Sequence, residues 1–290
     1  MKFCLNYEIG VIRSTTDMKK LIISALLATV LCAGSINNIV SAEEPLKISV
    51  GTAKASYGEK FSLDIRLNDI PADGFAACEM AIGYPEDLVK ITSVKRGSIS
   101  DTGAEKVELA INPKISSNTS SYSCFNSNIV DGQICVTWNT GLANTDFWIK
   151  NSGVFFTVEG IVKAENSETI DFTVEPIFRE TYPYSKVRNE KIIFGYRDTS
   201  FSSVKEYFYD FTTEDGTLEI EQKRTLAGDA NLDNNISIFD LLLTVRAVTK
   251  TADLSEVRTL NADVVSDGIV DVKDLMRIAK YIAGVENSLD

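Results

Sequence analysis

From Leu46 to about Gln222 apolar and polar residues alternate with period two, the pattern of strands that bury one face. Phe61-Ser-Leu63-Asp-Ile65-Arg-Leu67 is the cleanest run. Ala76, Cys78, Met80, Ile82 and Tyr84 line one face of the next, and Ala77, Glu79 and Ala81 the other. Further strands are predicted over 46–50, 88–94, 107–111, 134–139, 154–162, 170–177, 192–194 and 217–220, separated by turn formers such as Asp73-Gly74, Asp131-Gly132 and Asn151-Ser-Gly153. Eight to ten short strands without intervening helices predict a β-sandwich. The Ser/Asn-rich run 116–128 reads as a surface loop. Between 178 and 211 the alternation fails and Tyr182, Tyr184, Tyr196, Tyr207 and Tyr209 accumulate with Phe201 and Phe208. Such a run is either a long excursion packed on the sandwich or a binding surface.

After a short polar linker at 223–227 the period changes. Asp229-Ala-Asn231-Leu-Asp233-Asn-Asn235-Ile-Ser237-Ile-Phe-Asp240 and Asp263-Val-Val-Ser-Asp267-Gly-Ile269-Val-Asp271-Val-Lys-Asp274 each carry oxygen side chains at positions 1, 5, 9 and 12. That spacing belongs to EF-hand-type loops, where a hard cation collects carboxylate, amide and backbone oxygens from one tight turn. A helical pattern follows each loop, and a constant offset of 34 pairs Leu241 with Leu275, Leu242 with Met276 and Val245 with Ala279. The unit is thus duplicated, with Leu241, Leu242 and Val245 expected to fill the core stripe of the first helix.

In the first loop Asp229, Asn231, Asp233 and Asp240 can converge on one calcium ion, with the Asn235 carbonyl added and Ser237 acting through water. Asn234 stands where Gly is usual, but tolerates the left-handed bend. The second loop keeps Asp263, Asp267, Asp271, Asp274 and the Ile269 carbonyl; its position 3 is Val265, which has no side-chain oxygen, so weaker calcium binding is expected there. A region of about 60 residues buries only a modest core, so calcium should supply much of its folding free energy.

Composition narrows the chemistry. The chain has 290 residues, a net charge of −12 and no histidine. It shows no basic stripe for nucleic acid, and His-based acid/base catalysis and His-ligated zinc are excluded. Met18-Lys-Lys, the apolar run 21–33 and Val40-Ser41-Ala42 read as a secretory signal within a leader at 1–42, with Met18 the expected start. Outside the leader lie Cys78, Cys124 and Cys135, which permit one disulfide plus a thiol or three buried thiols, the latter favoured.

The duplicated loop-helix unit, with Gly228-Asp-Ala-Asn-Leu-Asp233 in one repeat and Ala262-Asp-Val-Val-Ser-Asp-Gly268 in the other, closely resembles a dockerin, the calcium-binding plug of the cellulosome. The resemblance implies a small α-helical domain over 228–290 that binds a cohesin through helix positions corresponding to Ile238, Phe239, Arg246, Ala247 and Lys250. The second-repeat equivalents are Val272, Lys273, Lys280, Tyr281 and Gly284. The two sets differ in size and charge, so one preferred orientation is expected. The stretches 74–88 and 153–163 are similar to cohesin strands, which implies a jelly-roll sandwich of about nine strands over 46–222. A cohesin receives dockerins on a flat sheet face; Ala77, Glu79 and Ala81, with Thr137 and Asn139, are the candidates for it.

These resemblances imply a secreted, non-catalytic adaptor scaffoldin attached to the cell surface through a cellulosome. Its cohesin would take a dockerin-bearing enzyme or module, and its dockerin would enter a cohesin of a larger scaffold. One alternative is a dockerin-borne carbohydrate-binding module using Trp138, Trp148 or the tyrosines. Another is a glycosidase using carboxylates among Glu79, Glu159 and Glu175.

Overall fold

The computed structural model describes residues 44–111, 123–177, 191–198 and 205–289. The leader lies outside these residues, as do Tyr182, Tyr184 and Phe201. The strands are β1 (Leu46–Val50), β2 (Thr52–Ala55), β3 (Lys60–Asn68), β4 (Ala77–Gly83), β5 (Val89–Arg96), β6 (Phe125–Val130), β7 (Gln133–Asn139), β8 (Gly153–Val162), β9 (Glu168–Glu175), β10 (Ile193–Asp198), β11 (Lys205–Phe208), β12 (Phe211–Glu214) and β13 (Gly216–Ile220). The α-helices are α1 (Ala104–Ile111), α2 (Ile238–Val248), α3 (Glu256–Ala262) and α4 (Val272–Ile282). None of the helices among the described residues is long and apolar enough to cross a membrane.

One sheet runs β12-β1-β3-β8-β5; the other runs β11-β10-β4-β9-β13-β2, with β7 also paired to β4 and β6 to β7. Alternation does its work here: Leu46, Ile48, Leu63, Ile65 and Leu67 of the first sheet are buried in one core with Met80, Ile82, Ile134, Val136 and Trp138 of the second. Ring contacts such as Phe61 to Phe172 bridge the layers. The chain changes sheets twice in parallel, at Gly51 between β1 and β2 and at Asp215 between β12 and β13. At this crossing a Cβ on Gly216 would stand 2.4 Å from the Gly51 carbonyl oxygen, so only glycine lets the two segments pass so closely.

Several expectations change. Residues 107–111 belong to helix α1, not a strand. Val-Glu-Leu-Ala-Ile alternates, but five residues cannot fix a period, and Ala104-Glu-Lys-Val-Glu-Leu-Ala favours helix intrinsically. Glu108 anchors the helix by accepting from Thr140 Oγ1 and the Gly141 amide. The Ser/Asn-rich run becomes strand β6 from Phe125 onward, its earlier part lying outside the described residues. Asp131 and Gly132, both with positive φ (48° and 73°), form a tight hairpin turn that carries the polar segment back along β7. Among the described residues there are thirteen strands rather than about nine, the excess arising from the sheet-switching breaks, from β6 and from the β10–β11 hairpin. The hairpin is what the described part of the tyrosine-rich excursion makes, added along the edge of β4.

In the helical part, the inward stripe is not Leu241, Leu242 and Val245. Leu241 is partly buried, whereas Leu242 is 50 % and Val245 37 % exposed. The buried positions of the paired helices are Asp240 and Thr244 in α2 and Asp274 and Ile278 in α4, again 34 apart. The carboxylates occupy the inward turn because they close the loops, which rotates the apolar stripe outward.

Candidate metal loops and docking faces

The two acidic loops share one hydrogen-bond scheme. Asp229 accepts from the amides of Asp233 and Asn234, and Asp263 from those of Asp267 and Gly268. Asp240 accepts from the amides of Asn231 and Ser237, and Asp274 from those of Val265 and Asp271. Every donor and acceptor is displaced by the offset of 34 seen in the sequence. Ser237 and Asp271 cap the helices in reciprocal capping boxes with Asp240 and Asp274. Positive φ falls at the same two places in each loop, Leu232 and Asn234 (65° and 63°) against Ser266 and Gly268 (60° and 83°). A leucine held left-handed is strained by about 1–2 kcal/mol, and such strain persists where surrounding contacts impose it.

The loops differ in how their charge is arranged. Carboxylate oxygens of Asp229, Asp233 and Asp240 lie within 4.8 Å of one another, and Asp229 and Asp240 are buried. Among the described residues no lysine or arginine forms an ion pair with these three. Three converging carboxylates, two of them out of water, form a group that could hold a cation, and hard oxygen donors suit calcium. In the second loop Lys273 pairs with Asp267 at 3.1 Å and Asp271 at 3.4 Å, and holds the Asp267 carboxyl below its usual range mainly through their hydrogen bond. The first loop has Phe239 at the equivalent place. Asn231 is half-buried and Asn235 exposed in the first loop, and Ile269 is exposed in the second.

Beyond the loops, Ile238 and Phe239 are 58 % and 68 % exposed, and Leu242 and Val245 continue their face along α2. Arg246 and Lys250 are exposed on the same helix or just after it, and Ala247 is half-buried. Leu242 and Val245 are additions that helical spacing from Ile238 would have revealed, at i+4 and i+7, had they not been assigned to the core. On α4 the exposed apolar positions are Val272, Met276 and Ile282, with Lys273 and Lys280 also exposed on the helix.

On the sandwich, Ala77, Glu79, Thr137 and Asn139 share the outer face of the larger sheet: Ala77 pairs with Asn139 and Glu79 with Thr137. Ala81 continues that row but is fully buried. Its neighbours on the pleat are Cys135 and Glu175, and Glu175 reaches across Gly83 to accept from Gln133 Nε2 at 2.5 Å, so longer side chains roof the methyl group. The face is extended by Asn126 opposite Thr137 and Asn128 opposite Cys135, which were not anticipated, and by Phe208 of the tyrosine-rich excursion, 63 % exposed, opposite Gly195. The two asparagines were not visible without knowing that β6 is a strand.

Residues 46–182 match the cohesin domain family and residues 227–283 the type I dockerin domain family. The chain carries a cohesin domain followed by a type I dockerin domain. Both are non-catalytic interaction modules, and a type I dockerin is a calcium-binding module. The cellulosomal-scaffolding protein A of Acetivibrio thermocellus is 34 % identical over 79 residues, which is 27 % of this chain and 4 % of that protein. The chain therefore spans only a small part of this curated relative. Similar solved structures include a type I cohesin–dockerin complex from Clostridium thermocellum (TM-score 0.42, 20 % identity, 61 % of this chain and 99 % of that one). A non-cellulosomal cohesin from the archaeon Archaeoglobus fulgidus is also similar (TM-score 0.38, 15 % identity, 61 % and 91 %).

The cohesin match ends at 182, yet β12 and β13, which complete both sheets, lie beyond it, so the tyrosine-rich excursion interrupts the sandwich before its last strands. Within the cohesin, Trp138 is buried with its indole donating to the Ser100 carbonyl, and Trp148 is buried with its indole donating to Leu142. Neither is available to stack on a sugar. Tyr196 stacks on Tyr207 at 4.8 Å and packs against Trp148, while Tyr209 donates to the Gly74 carbonyl. The three carboxylates considered for glycoside hydrolysis do not converge. Glu159 stands on β8 in the other sheet, bonded to Ser93 and Lys95, and Glu175 leans over Gly83, away from Glu79. None of Cys78, Cys124 and Cys135 forms a disulfide; Cys78 and Cys124 are buried, and burial pushes the Cys124 thiol up to about 12.

Proposed function

We propose that the chain is a non-catalytic adaptor scaffoldin of a cellulosome. Its cohesin receives a dockerin-bearing enzyme or module, and its dockerin enters a cohesin of a larger scaffold. The observation that carries this reading is the presence of a receptor module and a plug module in one chain, with the Ile238–Phe239 face of the plug exposed rather than seated on the chain's own sandwich. The division falls between a sandwich ending near 222 and a helical module beginning near 228, and a leader at 1–42 directs secretion, which places the adaptor outside the cell.

In this reading Asp229, Asn231, Asp233, Asn235, Ser237 and Asp240 hold calcium in the first loop, and Asp263, Asp267, Ile269, Asp271 and Asp274 in the second. The second site is the weaker because Val265 offers no side-chain oxygen and Lys273 already occupies Asp267 and Asp271. Ile238, Phe239, Arg246, Ala247 and Lys250 make the plug surface, joined by Leu242 and Val245. Ala77, Glu79, Thr137 and Asn139 belong to the receiving face.

Size-exclusion chromatography with light scattering tests the adaptor role. Mixed in calcium with one dockerin-bearing enzyme and one scaffold cohesin, the chain should give a ternary complex of one copy each. Mutual exclusion of the partners, or self-association of the chain into closed dimers or chains, would overturn the reading.

A further inference from the structure

The connection between the two modules contains no residue free to act as a hinge. Gln222 donates from its side chain to the Ala164 and Asn166 carbonyls and accepts from the Tyr57 amide, and Lys223 pairs with Glu59, all on the sandwich side. Immediately after, Arg224 donates to the Leu260 and Asp263 carbonyls, and the amides of Thr225 and Leu226 donate to Asn261 Oδ1, all on the dockerin side. Adjacent residues are thus committed to opposite modules, and the segment 221–227 contains neither glycine nor proline.

A second contact lies away from this connection. The turn between β8 and β9, residues 163–167, abuts the start of α3. Glu165 takes a bidentate pair from Arg258, Nε to Oε2 at 2.7 Å and Nη2 to Oε1 at 2.8 Å, and accepts from Ser255 Oγ at 2.6 Å. Ser255 stands at the helix cap position but makes no local cap bond. The first-turn amides are satisfied from the sandwich instead, Glu256 by Asn166 Oδ1 and Val257 by the Glu165 carbonyl, while Glu256 accepts from the Ser167 amide. Arg258 then uses its remaining nitrogen on the first acidic loop, Nη1 donating to the Ala230 and Asn231 carbonyls at 3.3 and 3.1 Å. One planar guanidinium therefore touches both the sandwich turn and the backbone beside Asp229 and Asn231.

We propose that the β8–β9 turn of the cohesin is a docking surface for the chain's own dockerin, and that Arg258 links this contact to the first loop, so that calcium there fixes the relative attitude of the two modules. The inference rests on the reading of the first loop as a calcium site. It holds the adaptor's two partners at a set angle while calcium is bound. The cleft beside the contact, lined by Tyr57, Glu59, Lys163, Lys223, Asp229 and Asn234, keeps the loop reachable from solvent, so calcium can exchange while the modules stay docked.

Linkage supplies the test, because whatever calcium does to docking, docking must do to calcium affinity. Calcium titration of the full chain by calorimetry is compared for the native protein, Glu165→Ala and a control, Arg66→Ala, whose side chain pairs with Asp64 within β3 of the sandwich. Glu165→Ala should weaken the tighter site by about five-fold or more, and the control should not. Hydrogen exchange should rise at 165–167 and 255–258 in Glu165→Ala, while α2 and α4 remain protected in saturating calcium. Unchanged affinity and exchange in Glu165→Ala would overturn the linkage and leave the calcium reading standing. A native chain that takes up no calcium would overturn the calcium reading, and the linkage with it.

Discussion

Replacing Asp240 by asparagine isolates what the first loop contributes. Asp240 is fully buried and accepts through Oδ2 from both the amide and the hydroxyl of Ser237, and through Oδ1 from the Asn231 amide. Asparagine keeps the shape and one acceptor, but its amide nitrogen faces the Ser237 donors and its charge is gone. Two bonds to a charged acceptor are lost, each worth about 1.5–3 kcal/mol, so the variant forfeits about 3–6 kcal/mol before any loss of metal. Domains of this size rarely carry more than about 3–5 kcal/mol from their core alone. The helices of Asp240→Asn should therefore be unfolded at calcium concentrations that fold the native chain. Far-ultraviolet circular dichroism reads the helices, and tryptophan fluorescence reads the sandwich, since both tryptophans lie there. The expected result is lost helical signal with unchanged fluorescence. Asp274→Asn should do less, because the second loop lacks the converging trio. A native-like helical signal and calcium midpoint in Asp240→Asn would refute the reasoning.

Other expectations follow from the same structure. Phe239→Ala removes a side chain that is 68 % exposed, so thermal stability should move by less than about 0.5 kcal/mol, while affinity for a scaffold cohesin measured by calorimetry should fall by about 2 kcal/mol or more. Trp138→Phe leaves the Ser100 carbonyl without its indole donor inside the core and should cost about 1–3 kcal/mol in urea unfolding. The Arg258 hydrogen bonds hold the Glu165 carboxyl below its usual range, outweighing desolvation. Its contribution to the module contact is therefore complete above the ordinary carboxylate value of about 4.3 and lost as pH falls through the depressed one. Hydrogen exchange at 255–258 should stay protected at neutral pH and rise only in that acid window, in a setting that also includes Arg258, Glu256 and Asp229.

Much of the protein is already determined by local chemistry written along the chain. Period-two alternation placed β3, β4, β7 and β8 because a strand with one dry face must alternate. The loops were legible because calcium needs oxygens at fixed intervals in one short turn, and the offset of 34 reappears bond for bond in the folded loops. The identity of strands lacking an apolar face, β6 and β11, was decided only by pairing, since the Asp131-Gly132 turn and the edge of β4 supply hydrogen bonds that composition cannot announce. Tertiary structure likewise roofed Ala81, turned Leu242 and Val245 outward, and sent Ser255 and Arg258 to Glu165 across 90 residues or more of chain. A local pattern records what each segment must bury or bind. Which neighbour meets that need depends on long-range packing, and here it turned a short polar stretch into a pinned connection between two modules.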